Sequence, residues 1–262
     1  MTAAGCVAVL GLGEAGGAIA RDLAAAGVRV RAYDPLPLPA DGLISCTDEA
    51  DAARGADLVL SVNSAKAAED ALRAGLAGVG EGAVWADLNT AAPALKRRLG
   101  EVAAGAGVAF ADVSLMAPVP GKGLFTPMLV SGPAARAYAE LLGPVGARVT
   151  TLDGPAGEAA TRKLLRSVFF KGMAAAVVEA LHAAREAGLD DWLRRHIAEE
   201  LASADEKFAE RLETGSHRHA VRRAEEMRAA SQLLGELDVP ARISDASRAW
   251  LDQLAGEPAP DR

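Results

Sequence analysis

The chain has 262 residues, half of them apolar, and a formal net charge of −7. That length and apolar content support a sizeable core in one or two domains, while the acidic balance argues against general affinity for nucleic acid or an anionic membrane. Two cysteines, Cys6 and Cys46, are too few for a disulfide framework or a multi-cysteine metal site, and they point to a reducing, cytoplasmic setting.

The apolar N-terminus lacks the basic leading segment of a secretory signal and reads as part of the fold. Its first strand is predicted at residues 6–10, followed by a helix over 15–26 and strands at 28–33 and 58–62. A helix at 65–75, a strand at 83–88, a helix at 92–104 and strands at 108–113, 128–131 and 148–152 follow. Strands that alternate with helices build βαβ units, and so a parallel sheet covered on both faces. Beyond Gly154-Pro155-Ala156-Gly157 the pattern changes. Helices are predicted over 157–186, 190–213, 218–236 and 241–255, with no strand among them. An α/β domain at 1–153 and an all-helical domain at 154–262 are therefore expected. The longest apolar run, residues 173–181, is broken by Glu179 and is far shorter than the roughly 18 residues of a membrane span.

The first turn carries the strongest motif. Gly11, Gly13 and Gly16 in VAVLGLGEAGGAIARDL stand at the G-x-G-x-x-G spacing. The first glycine allows a tight turn, the second lets a pyrophosphate approach the backbone, and the third lets helix and strand pack closely. The helix start then offers N–H groups and a positive dipole end to the phosphates. In a chain with 27 glycines the spacing alone is a weak signal. Its context is stronger: it follows an apolar strand, opens a helix, and is followed 18 residues after Gly16 by Asp34 at the end of the next strand.

Gly11, Leu12, Gly13, Glu14, Ala15 and Gly16 are thus expected to hold a dinucleotide in a Rossmann domain with a mostly parallel sheet. A carboxylate at Asp34 accepts hydrogen bonds from ribose hydroxyls and repels a 2′-phosphate, which favours NAD. Arg29 and Arg31 on the same strand keep NADP open. Val62, Asn63 and Asn89 lie at the ends of two further strands, where ligands of doubly wound sheets bind, and are candidates for the cofactor's ribose and nicotinamide. Turn chemistry alone also accounts for asparagine after a strand.

In order along the chain, four segments resemble the β-hydroxyacid dehydrogenase family, which includes 3-hydroxyisobutyrate and 6-phosphogluconate dehydrogenases. VLGLGEAGGAIA is similar to its N-terminal fingerprint, and ADLNTAAP to its Asp-x-Ser-Thr-x-x-Pro stretch, with Asn89 and Thr90 at the Ser-Thr positions. FADVSLMAPVPGKG stands in place of its Asp-Ala-Pro-Val-Ser-Gly-Gly substrate loop. GPAGEAATRKLLRS resembles its glycine-rich turn and catalytic-lysine helix. Within the family, the chain is most similar to a branch of 6-phosphogluconate-dehydrogenase-like proteins whose short helical C-terminal domain carries Arg-Ser-x-x-x-Lys-Gly.

The resemblance implies Lys163 as general acid/base, Ser167 as a group bonding a substrate oxygen, and Lys171 as a partner for a substrate carboxylate. It also implies Met116, Ala117 and Pro118 in the substrate loop, and a homodimer. Three departures all fall on the substrate side. Ser167 stands where better-known members have Asn, Met116-Ala117-Pro118 replaces Ser-Gly-Gly, and Glu225-Glu226 sits where many have Lys-Asp. Substrate identity therefore does not carry over.

At about 100° per residue, Lys163, Ser167 and Lys171 share one helical sector with Phe170, Ala174 and Val178. From Gly172 onward the segment is apolar on nearly every side, which marks it as buried. Oxidising a secondary alcohol requires a base near the carbinol oxygen, and in reverse the same ammonium protonates the alkoxide. Desolvation is expected to lower the proton affinity of Lys163, because Lys171 is about 12 Å further along the axis. The plainer readings are a salt-bridged or snorkelling Lys163, a solvated Lys171, and a Ser167 bonded back to its own helix.

His217 and His219 do not share a helix face, so no zinc site is expected there. The leading expectation is an NAD(P)-dependent oxidoreductase acting on a small β-hydroxy acid or its keto or semialdehyde form. The alternatives are reduction of an imine or other C=X bond, against which Lys163 weighs because imine-reducing relatives usually replace that lysine, and a catalytically silent dinucleotide-binding protein.

Overall fold

The computed structural model describes residues 4–36 and 42–257. The chain divides into two compact units, Met1–Arg166 and Ser167–Arg262.

The first unit is built on one sheet. Its strands are β1 (Cys6–Leu10), β2 (Arg29–Tyr33), β3 (Ile44–Ser45), β4 (Leu58–Ser61), β5 (Val84–Asp87), β6 (Ala109–Leu115), β7 (Met128–Ser131) and β8 (Val149–Thr151). They lie in the order β3-β2-β1-β4-β5-β6-β7-β8. Every neighbouring pair is parallel except β6 with β7. The exception follows from the connection: residues 116–127 contain one short turn of 3-10 helix and no crossover helix, so the chain can double back.

Among the described residues five α-helices cover the sheet: α1 (Glu14–Ala25), α2 (Glu49–Ala53), α3 (Ala68–Gly75), α4 (Pro93–Gly105) and α5 (Ala135–Leu142). Strand alternation sends successive side chains into two separate cores. Val7 and Val9 of β1 join Ile19 and Leu23 of α1 and Tyr138 of α5 on one face. Cys6, Ala8 and Leu10 join Leu72 of α3 and Leu99 of α4 on the other. β3 and α2, of two and five residues, are too short for periodicity to show and were not predicted; α5 was not predicted either. The chain runs from β1 outward through β2 and β3, then returns to β4 on the other side of β1. That reversal opens a crevice beyond the carboxyl ends of β1 and β4, where doubly wound sheets bind ligands.

Helix α6 (Glu158–Glu186) spans the unit boundary in sequence, and α7 (Asp190–Ala202), α8 (Phe208–Arg218), α9 (Ala220–Glu236) and α10 (Arg242–Ala255) follow. The single helix predicted over 190–213 is thus two. Ser203 ends α7 by donating its hydroxyl to the Glu200 carbonyl, and the Asp205 backbone carbonyl accepts the Phe208 N–H to start the next turn. A serine side chain competes for backbone partners in this way.

The second unit explains the carboxylate inside the apolar run. Glu179 accepts hydrogen bonds from the N–H groups of Ile243 and Ser244 at 2.7 and 2.8 Å, and from the Ser244 hydroxyl at 2.7 Å. It thereby satisfies the otherwise unpaired start of α10. Burial alone raises the pKa of Glu179, but the bonds from Ile243 and Ser244 outweigh it and hold the carboxyl below its ordinary range.

The expected burial of α6 beyond Gly172 does not hold within one chain. Val178 is 66% exposed, and Ala174 and Ala176 are exposed as well. Ala183 packs with Leu234 and Val239, which covers one side. A helix that is apolar all round needs cover on every side. Among the described residues no helix is long and apolar enough to cross a membrane.

Candidate active site

The three glycines are required by different neighbours. Gly11 has φ +98°, and a Cβ there would lie 2.5 Å from the Val62 carbonyl oxygen. A Cβ on Gly16 would lie 1.9 Å from the Gly11 carbonyl oxygen. Gly13 is different. A Cβ there would meet nothing within 4 Å, so no protein atom demands its absence. The space beside it suits a diphosphate approaching the start of α1. The first intrahelical bond there runs from the Gly17 N–H to the Gly13 carbonyl at 2.9 Å, which leaves the earlier N–H groups outside the helical ladder.

Asp34 directly follows β2. Its Oδ2 accepts the Leu12 N–H at 2.7 Å and its Oδ1 the Leu36 N–H at 2.8 Å, so the carboxylate is tied to the glycine loop and turned toward it. Arg31 points elsewhere. Its Nη2 lies 2.8 Å from Asp51 Oδ1, and its Nε donates to the Ala52 carbonyl at 3.2 Å. Arg29 pairs with Cys6 at the amino end of β2, away from the loop.

Two cavities flank the loop. A slot of about 110 Å³ is lined by Gly11, Tyr33, Pro35, Asn63, Ala67 and Ala71. A second cavity, about 290 Å³, is lined by Gly13, Glu14, Asn63, Asn89, Thr90 and Lys163, with Ala15, Val62, Leu88 and Leu115 completing the wall. A larger cavity, about 620 Å³, lies by Gly5, Asp57 and Val84 at the amino ends of the strands. It is remote from the crevice that the topology opens.

Asn89 is buried, and its Nδ2 meets Asp87 Oδ2 at 2.7 Å and Asn63 Oδ1 at 2.9 Å. Behind it sits Lys96 of α4, 0% exposed, with Nζ 2.6 Å from Asp87 Oδ1 and 3.2 Å from Asp112 Oδ1. Oδ2 of Asp112 accepts the N–H groups of Gly157 and Ala160 at 2.9 and 3.1 Å, at the start of α6. Asp87, Lys96 and Asp112 were not foreseen from the sequence. Two signals point to them: an aspartate inside each of two apolar strands, and a lysine on the same helical stripe as the buried Leu99 and Ala103.

The structure brings Gly13, Glu14, Ala15, Val62, Asn63, Asn89 and Lys163 to one cavity. Gly11, Leu12, Gly16 and Asp34 form the loop beneath it. Lys163 is half-buried. Met116, Ala117 and Pro118 directly follow β6; its last residue, Leu115, lines the cavity, but they do not. Ser167, half-buried, and Lys171, exposed, lie further along α6 in the second unit.

The family model for the NAD binding domain of 6-phosphogluconate dehydrogenase matches residues 6–152, more than half of the chain. The chain belongs to that family. Members are oxidoreductases of NAD(P)-binding Rossmann fold, and this chain accordingly carries an NAD-binding domain followed by a helical C-terminal region. A domain of unknown function, DUF1932, matches residues 184–254.

No curated protein matches the chain. Among solved structures, a conserved hypothetical protein from Sinorhizobium meliloti 1021 is 27% identical, with TM-score 0.62, over 96% of this chain and 88% of that one. A conserved protein of unknown function, described as structurally similar to 3-hydroxyacid dehydrogenases, is 24% identical with TM-score 0.61, over 95% of this chain and 96% of that one. An imine reductase from Myxococcus stipitatus in complex with NADP+ is 18% identical with TM-score 0.79, over 98% and 96% of the two chains. A variant of it, in complex with NAD+, is 17% identical with TM-score 0.79, over 100% and 97%.

Proposed function

We propose that this chain transfers hydride between NAD(H) and a small β-hydroxy acid or its carbonyl form, with Lys163 as general acid/base. The observation that carries the proposal is that Lys163 lines the same cavity as Gly13, Asn63, Asn89 and Thr90. In this reading the 110 Å³ slot takes the adenine end, the space at Gly13 the diphosphate, and the 290 Å³ cavity the nicotinamide end. The bound dinucleotide supplies the hydride acceptor or donor. The chain handles the proton: Lys163 takes it from the hydroxyl in the oxidative direction and returns it to the oxygen in the reductive one. Half-buried Lys163 loses further water as cofactor and substrate pack around it, and desolvation disfavours the charged form of an amine. Met116, Ala117, Pro118, Ser167 and Lys171 are the proposed substrate contacts, the last two for oxygen and carboxylate.

The same constellation serves reduction of an imine, where the ammonium would protonate nitrogen. The fold shared with the imine reductase at TM-score 0.79 favours this second reading. A panel of small hydroxy acids, their keto forms and cyclic imines, followed by reduced-nicotinamide absorbance, separates the two. Turnover of imines alone would replace the first reading with the second. No turnover despite NADH binding would leave a silent dinucleotide-binding protein.

Asp34 supports NAD over NADP. Between Arg31 and Arg54 the sequence has no lysine or arginine and carries Asp34, Asp41, Asp48, Glu49 and Asp51. Arg31 is already committed to Asp51. Wild-type protein should bind NADH at least tenfold more tightly than NADPH, and Asp34→Ser should erase most of that ratio, about tenfold being the worth of one charged hydrogen bond. Fluorescence titration of both nucleotides measures it, and an unchanged ratio would remove Asp34 from cofactor choice.

The exposed Val168, Phe169 and Val178 of α6 support a homodimer in which a second copy covers this helix. Light scattering should give twice the 26.8 kDa of the chain. Cys6 and Cys46 are both free, which accords with a cytoplasmic setting.

A further inference from the structure

Lys96 lies outside the crevice, yet it is wholly buried and meets two carboxylates. A buried ammonium is costly unless every proton finds an acceptor. Here Nζ reaches the Asp87 carbonyl at 2.8 Å, Asp87 Oδ1 at 2.6 Å and Asp112 Oδ1 at 3.2 Å. Asp112 Oδ1 receives no hydrogen bond of good geometry and is held there by charge.

We propose that Lys96 is a positioning residue that sets the hydrogen-bond polarity of the nicotinamide end of the site, acting through Asp87 and Asn89. Each step follows from which group can donate. An ammonium only donates, so Asp87 Oδ1 accepts from Lys96. A carboxylate only accepts, so Asp87 Oδ2, 2.7 Å from the Asn89 amide, requires its NH2 and not its oxygen. The same NH2 reaches Asn63 Oδ1 at 2.9 Å, and that oxygen also accepts the Ser64 N–H at 2.7 Å. Both amides are thereby fixed against flipping. Asn89 is left to offer the cavity its carbonyl oxygen, and Asn63 its NH2. The crevice thus presents one acceptor and one donor of defined place, a pattern matched by a group that carries both, such as a carboxamide or a ribose diol. Through Asp112 the same ammonium also steadies the start of α6, three residues before Lys163.

The inference rests on the reading that Asn89 touches the dinucleotide, so its test is a double-mutant cycle read by NADH fluorescence titration. Lys96→Met and Asn89→Ala should each weaken NADH binding about tenfold, and the pair should be no worse than Asn89→Ala alone. A lysine that merely supported the fold would weaken binding equally in either background, and such additivity would overturn the proposal. If Lys96→Met does not fold, Lys96→Met with Asp87→Asn takes its place, since together they remove one charge of each sign and leave the cluster's net charge unchanged. If Asn89→Ala binds NADH as wild type does, the contact itself is absent and the inference falls with it. If wild-type protein binds no NADH, the reading of the crevice fails first.

Discussion

Replacing Lys163 with alanine should lower kcat by a factor of about 10² to 10⁴ while NADH binds with wild-type affinity. The range is what a positioned general acid or base contributes. The separation of turnover from binding follows from position: Lys163 lines the end of the cavity that also holds Asn63, Asn89 and Thr90, whereas the proposed seat of the nucleotide, the loop at Gly11 to Gly16 tied to Asp34, does not include it. Lys163→Arg sharpens the test. Arginine keeps the charge and length but does not lose its proton near neutral pH, so a catalytic base is not rescued, while an ion-pairing lysine is. Oxidation by the wild-type protein should be slower in acid than in base, because only the neutral amine accepts the proton. Wild-type turnover in the Arg variant would reduce Lys163 to a charged support.

The parts of the candidate site that were legible in the sequence are those fixed by short-range spacing. Gly11, Gly13, Gly16 and Asp34 belong to one strand-turn-helix-strand, and the space each glycine must leave is a local matter. Asn63 and Asn89 were legible by position alone, because strand ends in such a sheet face the crevice. The Lys96 cluster was not. Its two carboxylates meet through the register that pairs Asp87 with Asp112 across β5 and β6, and periodicity within one element carries no register. Lys96 breaks the apolar stripe of α4, which is a visible flag for a buried charge once such breaks are sought. Helix α6 shows the opposite limit. Its apolar residues announced that something covers them, but pattern does not say whether the cover comes from the same chain, and within one chain Val178 remains open. The split between α7 and α8 at residues 203–207 was available in principle from Ser203, whose side chain bonds the backbone in competition with the helix.

Alanine at Gly13 and alanine at Gly16 should have opposite consequences for the protein without cofactor. At Gly16 the added methyl meets the Gly11 carbonyl oxygen at 1.9 Å, a backbone atom that no rotamer change can clear. The turn must open or α1 must shift, and overpacking of this kind costs about 1–3 kcal/mol or more. At Gly13 the backbone has φ −59°, which alanine adopts without strain, and the methyl enters open space. Losing glycine's freedom in the unfolded chain should leave that variant as stable as wild type, or more so by about 0.4–1 kcal/mol. Its NADH binding should nonetheless collapse, by a hundredfold or more, because the methyl occupies the approach of the diphosphate to the start of α1. Thermal unfolding and NADH titration on the two variants measure both effects. A Gly13→Ala protein that is stable and still binds NADH tightly would show that the dinucleotide does not cross this loop, since nothing in the protein itself explains a glycine at that position.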